Sequence, residues 1–277
     1  MSSRKTAGRA WWLPEFLAAT LVLHANSGHA LEYREDFEAA GKPPDRFGLV
    51  WDYRAELSPA TKWSQLIPGD GYAYLTAQRA FLKRRSRPWG FWPFQSLSFG
   101  PVGAGHRLSM RAKNTAIPGL AAMIFTYREQ DSVDEIDLEI TATDTESLRP
   151  RHPTGPDGGW TDLRMATWID ADKSRPAPAS LAKQPANDAA GARRSLQDDR
   201  FHIYTIEWDR AEVRFLIDGV PQHKMEDEVP DRPARVIFGL RQMPWAGEAD
   251  WTGYRTMLVD WVAIEPLEKE SPAPDAR

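Results

Sequence analysis

Apolar and polar residues alternate along much of this chain with the two-residue period of β-strands, and no long stretch has helical periodicity. Gly, Pro and Asp separate the apolar or alternating runs. These runs predict strands at Tyr72–Leu75, His106–Ala112, Leu120–Tyr127, Glu135–Ala142, Leu163–Ile169, Phe201–Trp208, Val213–Ile217, Val236–Leu240 and Met257–Ile264. Many short strands predict an all-β sandwich. The pair Asp218-Gly219, followed by Val220, predicts a hairpin with a type I′ turn.

The run from Asp134 to Ile140 alternates carboxylates with large aliphatic residues. A strand places Glu135, Asp137 and Glu139 on one face, whereas a helix would turn Asp137 to the opposite side. A solvent-facing strand is the ordinary explanation of such alternation. It fits poorly here, because Asp and Glu are poor strand formers and three like charges two residues apart repel one another. The pattern therefore indicates that the acids have a function.

Paired carboxylates are what cleavage of a glycosidic bond requires. One acts as nucleophile and the other as acid and then base, ~5–5.5 Å apart when the anomeric configuration is retained. Four strand steps of ~3.3 Å place the Cα atoms of Glu135 and Glu139 ~13 Å apart, and inward-leaning side chains close much of that gap. Asp137 lies between them, where it can hold Glu135 through a shared proton. A negative neighbour also raises the proton affinity of the group that must donate first.

Other kinds of catalytic site find little support in the sequence. The chain has no cysteine, which excludes disulfides, thiol chemistry and thiolate metal sites. Its 6 histidines include no metal-binding pair at helical spacing. There is no Gly-x-Ser-x-Gly elbow and no phosphate-binding loop. The carboxylates are therefore the leading catalytic candidates.

The first 30 residues have the pattern of an export signal. Arg4, Lys5 and Arg9 precede a mostly apolar stretch, Trp11 to Ala25, and small residues lead to a cleavage site near Ala30. An uncleaved membrane anchor is the alternative, but this stretch falls short of the ~20 residues needed to span a bilayer. We expect a periplasmic or secreted protein without a stable membrane anchor.

Removal of residues 1–30 leaves 277 − 30 = 247 residues, enough for one catalytic domain at 31–266 followed by a polar tail at 267–277. Within the domain, 171–197 is rich in Ala, Pro, Asp and Ser, and its large apolar residues are Leu181 and Leu196. We expect a surface insertion there. The formal charge of −4 becomes −6, because the removed segment carries three positive charges and one negative. This argues against nucleic acid as a partner and suits a neutral polymer.

Several motifs occur in an order that resembles a known family. They are Ala112-Lys113-Asn114-Thr115, Phe125-Thr126-Tyr127, the acid run, the strand from Phe201 to Trp208, the hairpin from Phe215 to Gly219, Trp245, Asp250-Trp251, and Val259-Asp260-Trp261-Val262. This order resembles glycoside hydrolase family 16, and within it the bacterial lichenases, which are endo-β-1,3-1,4-glucanases. The resemblance implies a concanavalin A-like β-jelly-roll sandwich with a concave sugar-binding cleft. We expect a monomer that needs no cofactor.

The resemblance implies roles for individual residues. Glu135 would be the nucleophile, Asp137 the assisting residue and Glu139 the acid/base. The matching substrate-binding aromatic residues are Phe125, Tyr127, Trp168, Trp245 and Trp251, with Trp92 in a cluster that does not align securely. Lichenase-like folds often carry a structural calcium, whose ligand here would be Asp260.

The expected function is an exported, retaining endo-β-glucanase acting on β-1,4-containing or mixed β-1,3/1,4-linked glucan or exopolysaccharide. Two alternatives remain open: a transglycosylase that uses the same acids, and a non-catalytic carbohydrate-binding sandwich. Two departures from lichenases bear on the substrate. Val133 stands where they usually have Trp, and Met243-Pro244-Trp245 stands where they have Asn-Leu-Trp.

Overall fold

The computed structural model describes residues 33–36, 73–78, 94–114, 118–142, 144, 159–172, 177–247 and 254–267. These residues form thirteen strands and one short 3₁₀ turn, Pro244–Ala246. The strands are β1 (Tyr33–Glu35), β2 (Ala73–Gln78), β3 (Phe94–Val102), β4 (His106–Lys113), β5 (Leu120–Glu129), β6 (Val133–Thr141), β7 (Asp162–Ala171), β8 (Ser180–Pro185), β9 (Phe201–Trp208), β10 (Val213–Ile217), β11 (Val220–Met225), β12 (Ala234–Gln242) and β13 (Tyr254–Pro266). All nine strands predicted from the pattern are present, with shifted ends in most cases.

The strands form two antiparallel sheets. The seven-stranded sheet has the order β1-β13-β4-β9-β10-β11, with β2 also paired to β13. The six-stranded sheet has the order β3-β12-β5-β6-β7-β8. This is a β-jelly-roll sandwich, as predicted. The strand β6 is central in its sheet, with β5 on one side and β7 on the other.

The core lies between the sheets and consists of the inward residues of alternating strands. From the six-stranded sheet it includes Ile124, Ile136, Leu138, Ile140 and Phe238, and from the other sheet Leu108, Tyr204, Ile206, Trp208 and Phe215, each essentially inaccessible to water. Burial of one such side chain contributes about 1.5–3 kcal/mol. The register of β6 is therefore strongly specified, because a slip by one residue would place its acids in this core.

A second apolar cluster covers part of the opposite face of the six-stranded sheet. It contains Ala121, Met123, Phe125, Ile237, Trp245 and Ala246, with Tyr127 and Met243 packed against it. The 3₁₀ turn reaches this face because Gly119 N–H donates to the carbonyl oxygen of Ala246 at 2.7 Å. Gly247 ends the turn with φ +90°, a conformation that favours glycine. The turn thereby holds Trp245 against β5 and β12.

The segment 171–197, where we expected a surface insertion, contributes a strand to the six-stranded sheet. Its described part contains β8, which pairs with β7 as the edge of the six-stranded sheet. Leu196 is buried in the main core, whereas Leu181 is exposed. The side chain of Gln222 on β11 joins the segment to the other sheet, since it accepts from Asn187 N–H and donates to the Asn187 carbonyl oxygen. Backbone pairing, which composition does not reveal, stabilises this edge.

The hairpin prediction is confirmed, since Asp218 and Gly219 have φ of 52° and 76° between β10 and β11. The segments 1–30 and 268–277 lie outside the described residues, so the export signal and most of the tail stay predictions. Among the described residues there is no candidate for a membrane-spanning helix.

An ion-paired histidine joins the start of β9 to the β10–β11 turn. His202 is buried, and its Nδ1 lies 2.8 Å from Asp218 Oδ2 while its Nε2 lies 2.9 Å from Asp198 Oδ1. Burial opposes the charged ring, but the bonds to the two carboxylates outweigh it and raise the pKa of His202. Burial likewise disfavours the charged form of Asp198, yet hydrogen bonds from His202 and Arg200 lower its pKa to about 2.

These shifts predict the pH dependence of stability. The contribution of His202 is fully present below its unfolded pKa of about 6.5 and is lost as the pH rises through its raised pKa in the folded protein. The contribution of Asp198 is present above its ordinary pKa and is lost only as the pH falls toward about 2. We therefore expect His202→Gln to lower the free energy of unfolding by about 1–3 kcal/mol at pH 5.5, and by less at pH 8.5. Urea denaturation at both pH values measures this, and an equal loss at both would show that the imidazolium is not the stabilising form.

Candidate active site

The three acids of β6 lie together on the face of the six-stranded sheet that points away from the core, here called the acid face. Ile136, Leu138 and Ile140 are fully buried between the sheets, so the predicted alternation is confirmed. Asp137 is 6% exposed and Glu139 8% exposed, while Glu135 is half-buried. The acids thus lie in a partly covered site, where electrostatic interactions are stronger than at an open surface.

The neighbouring strands surround the acids with a defined set of side chains. On β5, Tyr127, Phe125 and Met123 are the register partners of Glu135, Asp137 and Glu139, in that order. On β7, the partners in the same order are Trp168, Ala166 and Arg164. Directly opposed residues of antiparallel strands have Cβ atoms about 4.5–5.5 Å apart. The acid face is therefore aromatic beside Glu135 and carries an arginine beside Glu139.

Trp168 contacts the central acid directly. Its indole Nε1–H donates a 2.6 Å hydrogen bond to Asp137 Oδ2. A bond from an N–H group to a carboxylate is stronger than one between neutral groups. It fixes the orientation of the Asp137 carboxylate between the two glutamates. Trp168 is thus a hydrogen-bond donor to the central acid as well as a predicted substrate-binding residue.

A β-bulge beside β6 sets the place of Trp168. The register of β6 and β7 shifts between Val133 and Glu135, whose partners are Ala171 and Trp168. Within this bulge Asp170 has φ +48°, and its N–H donates to Asp134 Oδ1 at 3.0 Å. Bulges next to active sites commonly redirect a side chain. Here the bulge places Trp168 opposite Glu135.

The carboxylate of Asp134 is almost fully buried at this bulge and is compensated by two arginines. Arg232 donates to its Oδ1, and Arg128 lies 3.4 Å from its Oδ2. Arg232 also donates to Asp170 at 2.6 Å, and this bond, with one from Ser132, lowers the pKa of Asp170. Sequence reasoning assigned no role to these residues. Asp134 could have indicated them, because an acid at a core-facing position of a strand needs a positively charged partner.

Beside Glu139, Arg164 is held by an ion pair and an aromatic ring. Its Nε and Nη2 donate to Asp144 at 3.0 and 2.8 Å, and its guanidinium carbon lies 3.9 Å from the ring centroid of Trp245. Asp144 is held in turn, since its N–H donates to Asp162 Oδ2 at 2.9 Å. The Arg164 and Asp144 side chains are only 11% and 1% exposed. This ion pair therefore has little screening from water or salt.

The predicted substrate-binding aromatic residues have different surroundings. Tyr127 and Trp168 are half-buried on the acid face, and Phe125 beside them is 6% exposed. Trp245 is 7% exposed, and Arg164 covers one side of its ring. Trp92 and Trp251 lie outside the described residues. For every one of these aromatic residues, contact with the substrate stays a prediction.

The predicted calcium ligand has a different partner. Asp260 lies on β13, and Arg111 Nη1 donates to its Oδ2. The same guanidinium packs over the ring of Phe201, with its carbon 4.6 Å from the centroid. Among the described residues, no group of three or more His, Cys, Asp or Glu could hold a metal ion. The surroundings of Asp260 do not fit a calcium site, because a cation there would have to displace a guanidinium.

Comparisons with known proteins agree with this geometry. The model of glycosyl hydrolases family 16 matches residues 97–263. A β-glucanase of Brevibacillus brevis is 22% identical over 231 residues, which are 79% of this chain and 76% of the relative. A lichenase derived from a mouse hindgut metagenome has the same fold, with a TM-score of 0.58 and 18% identity over 85% of this chain and 99% of its own. The apo Crh5 transglycosylase also superposes, with a TM-score of 0.55 and 20% identity over 87% and 85% of the two chains.

The matched residues are more than half of the 277-residue chain, and they contain β5, the acid strand β6 and β7. The chain therefore belongs to glycosyl hydrolases family 16 and is a glycoside hydrolase.

Proposed function

We propose that the protein is an exported endo-β-glucanase that cleaves internal bonds of a β-1,4-containing or mixed β-1,3/1,4-linked glucan or exopolysaccharide and retains the anomeric configuration. The observation that carries the proposal is the acid face of β6, where Glu135, Asp137 and Glu139 lie side by side over a fully buried Ile-Leu-Ile row. The proposed reaction requires two carboxylates on one face, and it needs no cofactor.

In the first step, a carboxylate oxygen of Glu135 attacks the anomeric carbon and forms a glycosyl-enzyme ester. The bond from that carbon to the glycosidic oxygen breaks, and Glu139 gives its proton to the departing oxygen. Asp137, held by the Trp168 N–H, orients Glu135 from the position between the two glutamates. The leaving sugar chain then departs with a new hydroxyl group.

In the second step, water attacks the same carbon from the side that the leaving group vacated. Glu139, now a carboxylate, takes a proton from that water, and the ester bond to Glu135 breaks. Two inversions at one carbon give net retention. The acids return to their starting protonation states, so the cycle closes without any other reactant.

A transglycosylase is the second candidate, because a sugar hydroxyl could replace water in the second step. This candidate is supported by the fold that the chain shares with a transglycosylase structure. Oligosaccharide products longer than the substrate would identify this activity. A non-catalytic sugar-binding role is disfavoured, because binding alone does not require three like charges on one strand.

One prediction of the proposed function separates the roles of the two glutamates. Glu135→Ala should lower hydrolysis at least about 10³-fold, because no ester can form. Added azide should restore part of the activity and give a product of inverted configuration, since the small anion takes the nucleophile's place. Glu139→Ala should instead keep activity on aryl glycosides whose leaving group needs no proton. Proton NMR of the first-formed anomer and initial rates measure both effects.

The control for both variants is Glu265→Ala, which changes a partly exposed glutamate on β13 of the other sheet and should leave the rate unchanged. The opposite pattern, with azide rescue of the Glu139 variant, would reverse the two assignments.

A second prediction concerns Trp168. Replacement by Phe keeps an aromatic ring opposite Glu135 but removes the donor to Asp137, so kcat should fall about 10–100-fold while KM changes little. Trp261→Phe, on β13 of the other sheet, is the matched control. A larger effect of Trp168→Phe on KM than on kcat would assign the residue to substrate binding alone.

A third prediction concerns the substrate. Sugar-binding sites combine aromatic rings with a few polar groups, and Tyr127 and Trp168 flank the acids here. We expect internal cleavage of β-1,4- or mixed β-1,3/1,4-linked glucan or of a bacterial exopolysaccharide, and weak or no cleavage of β-1,3-linked laminarin. Reducing-end release with chromatography of product sizes measures this. Faster cleavage of laminarin than of every such polymer would contradict the proposed substrate class.

A further inference from the structure

The acid/base candidate has a charged neighbour that the proposed mechanism does not use. Arg164 is the direct register partner of Glu139 on β7, and Met123 is the partner on β5. Opposed side chains on one face of a sheet lie within interaction range. A cation and an uncharged thioether therefore flank Glu139.

The charge of Arg164 is fixed in place. Asp144 binds the guanidinium through two parallel hydrogen bonds, and Trp245 packs against its plane. Arginine presents such a planar fork, whereas lysine presents a point charge on a flexible chain. Since the Asp144 side chain is 1% exposed, its negative charge acts in a poorly screened environment as well.

We propose that the Arg164–Asp144 ion pair is a positioning element that sets the pH range in which Glu139 holds its catalytic proton. The proposal rests on the role of Glu139 in the proposed function. Glu139 must be protonated to begin the reaction and deprotonated in its second half, so its proton affinity has to be intermediate. Arg164 favours the carboxylate form of Glu139, and Asp144 favours the acid form.

Other charged groups also face Glu139, and they define the background of the effect. On β6 itself, Asp137 and Glu135 share the acid face. Asp162 lies behind Asp144, and Lys183 on β8 is the register partner of Arg164, one strand farther from Glu139. These groups are unchanged in the variants proposed below. A difference between variants therefore reports the Arg164–Asp144 pair.

The test compares the pH profiles of kcat/KM for three variants. Arg164→Gln removes the cation and its two hydrogen bonds to Asp144, so the basic limb of the profile should move to higher pH. Asp144→Asn removes the anion and leaves the arginine charged, so the limb should move to lower pH. Each shift should be at least about half a pH unit, because the changed charge lies close to Glu139 and the effective dielectric constant is about 20. The double variant should fall between the two single variants.

Arg164→Lys is the conservative variant. It keeps the positive charge but loses the planar guanidinium. The basic limb of its kcat/KM profile should therefore stay near that of the wild-type protein, even if its melting temperature falls. Shifts in the same direction for both single variants, or no shift in either, would overturn the proposal. A merely structural role predicts lower stability in each variant, without opposite shifts of the pH limb.

Removal of one partner of a buried ion pair is strongly destabilising, so a single variant can fail to fold. The double variant Arg164→Gln, Asp144→Asn removes both charges of the pair together. It is compared with Arg164→Lys in that case. Because Arg164 is the direct register partner of Glu139, loss of the cation should outweigh loss of the anion. The basic limb of the double variant should therefore lie at higher pH than that of Arg164→Lys, and identical limbs in these two variants would refute the proposal.

Direct titration of Glu139 keeps this test separate from the proposed function. Carbon-13 NMR of glutamate-labelled protein, with the Glu139 signal assigned by Glu139→Gln, measures its protonation without any substrate. A protein that hydrolyses no glycoside would refute the proposed function, while the titration would still test the ion pair. A Glu139 titration that is the same in all variants would refute the ion-pair proposal alone.

Discussion

The two-residue period of β6 is the constraint on which the site depends. Ile136, Leu138 and Ile140 lie in the core, and this burial fixes the strand so that the intervening acids must share the opposite face. Replacing one of these aliphatic residues by Ala would cost about 2–5 kcal/mol. The core therefore provides the energy that holds the three acidic side chains in line. The mechanism needs these groups in place before substrate binds, since rigid supporting elements make a site accurate.

The surroundings distinguish acids that are chemically alike. Asp137 accepts a hydrogen bond from Trp168, which the β6–β7 bulge places opposite Glu135. Glu139 faces Arg164, whose charge is balanced by Asp144. Different environments are what allow neighbouring carboxylates to perform different steps of one reaction. The fold thus supplies the asymmetry between an attacking group and a proton donor.

The sequence predicted those parts of the structure that depend on local pattern. Alternation identified β6 and the faces of its residues, and Asp218-Gly219 identified the turn after β10. It did not reveal β3, in which Gly100 and Pro101 suggest a turn, or β8, whose edge position needs few large apolar residues. β3 depends on pairing with the distant β12, whereas β8 pairs with the preceding strand β7.

Two ion pairs that the sequence did not predict join residues far apart in the chain. Arg232 reaches Asp134 across 98 positions of the chain, and the Arg111–Asp260 pair spans 149. No local motif encodes either pair. The resemblance predicted that Asp260 is a calcium ligand, but in the structure its carboxylate forms an ion pair with Arg111. A resemblance to a family predicts which residue types occur at a position. It predicts a metal ligand there only where the neighbouring residues also match the family.

The central claim is that Glu135 forms a covalent bond with the sugar. A mechanism-based fluoro-oligoglucoside inactivator, which forms the ester but hydrolyses slowly, tests this directly with mass spectrometry of the intact protein and of its peptides. The account predicts one added oligoglucosyl group per chain, located on Glu135, and none on the Glu135→Ala variant. An adduct on another residue, or turnover of the compound without any covalent species, would contradict it.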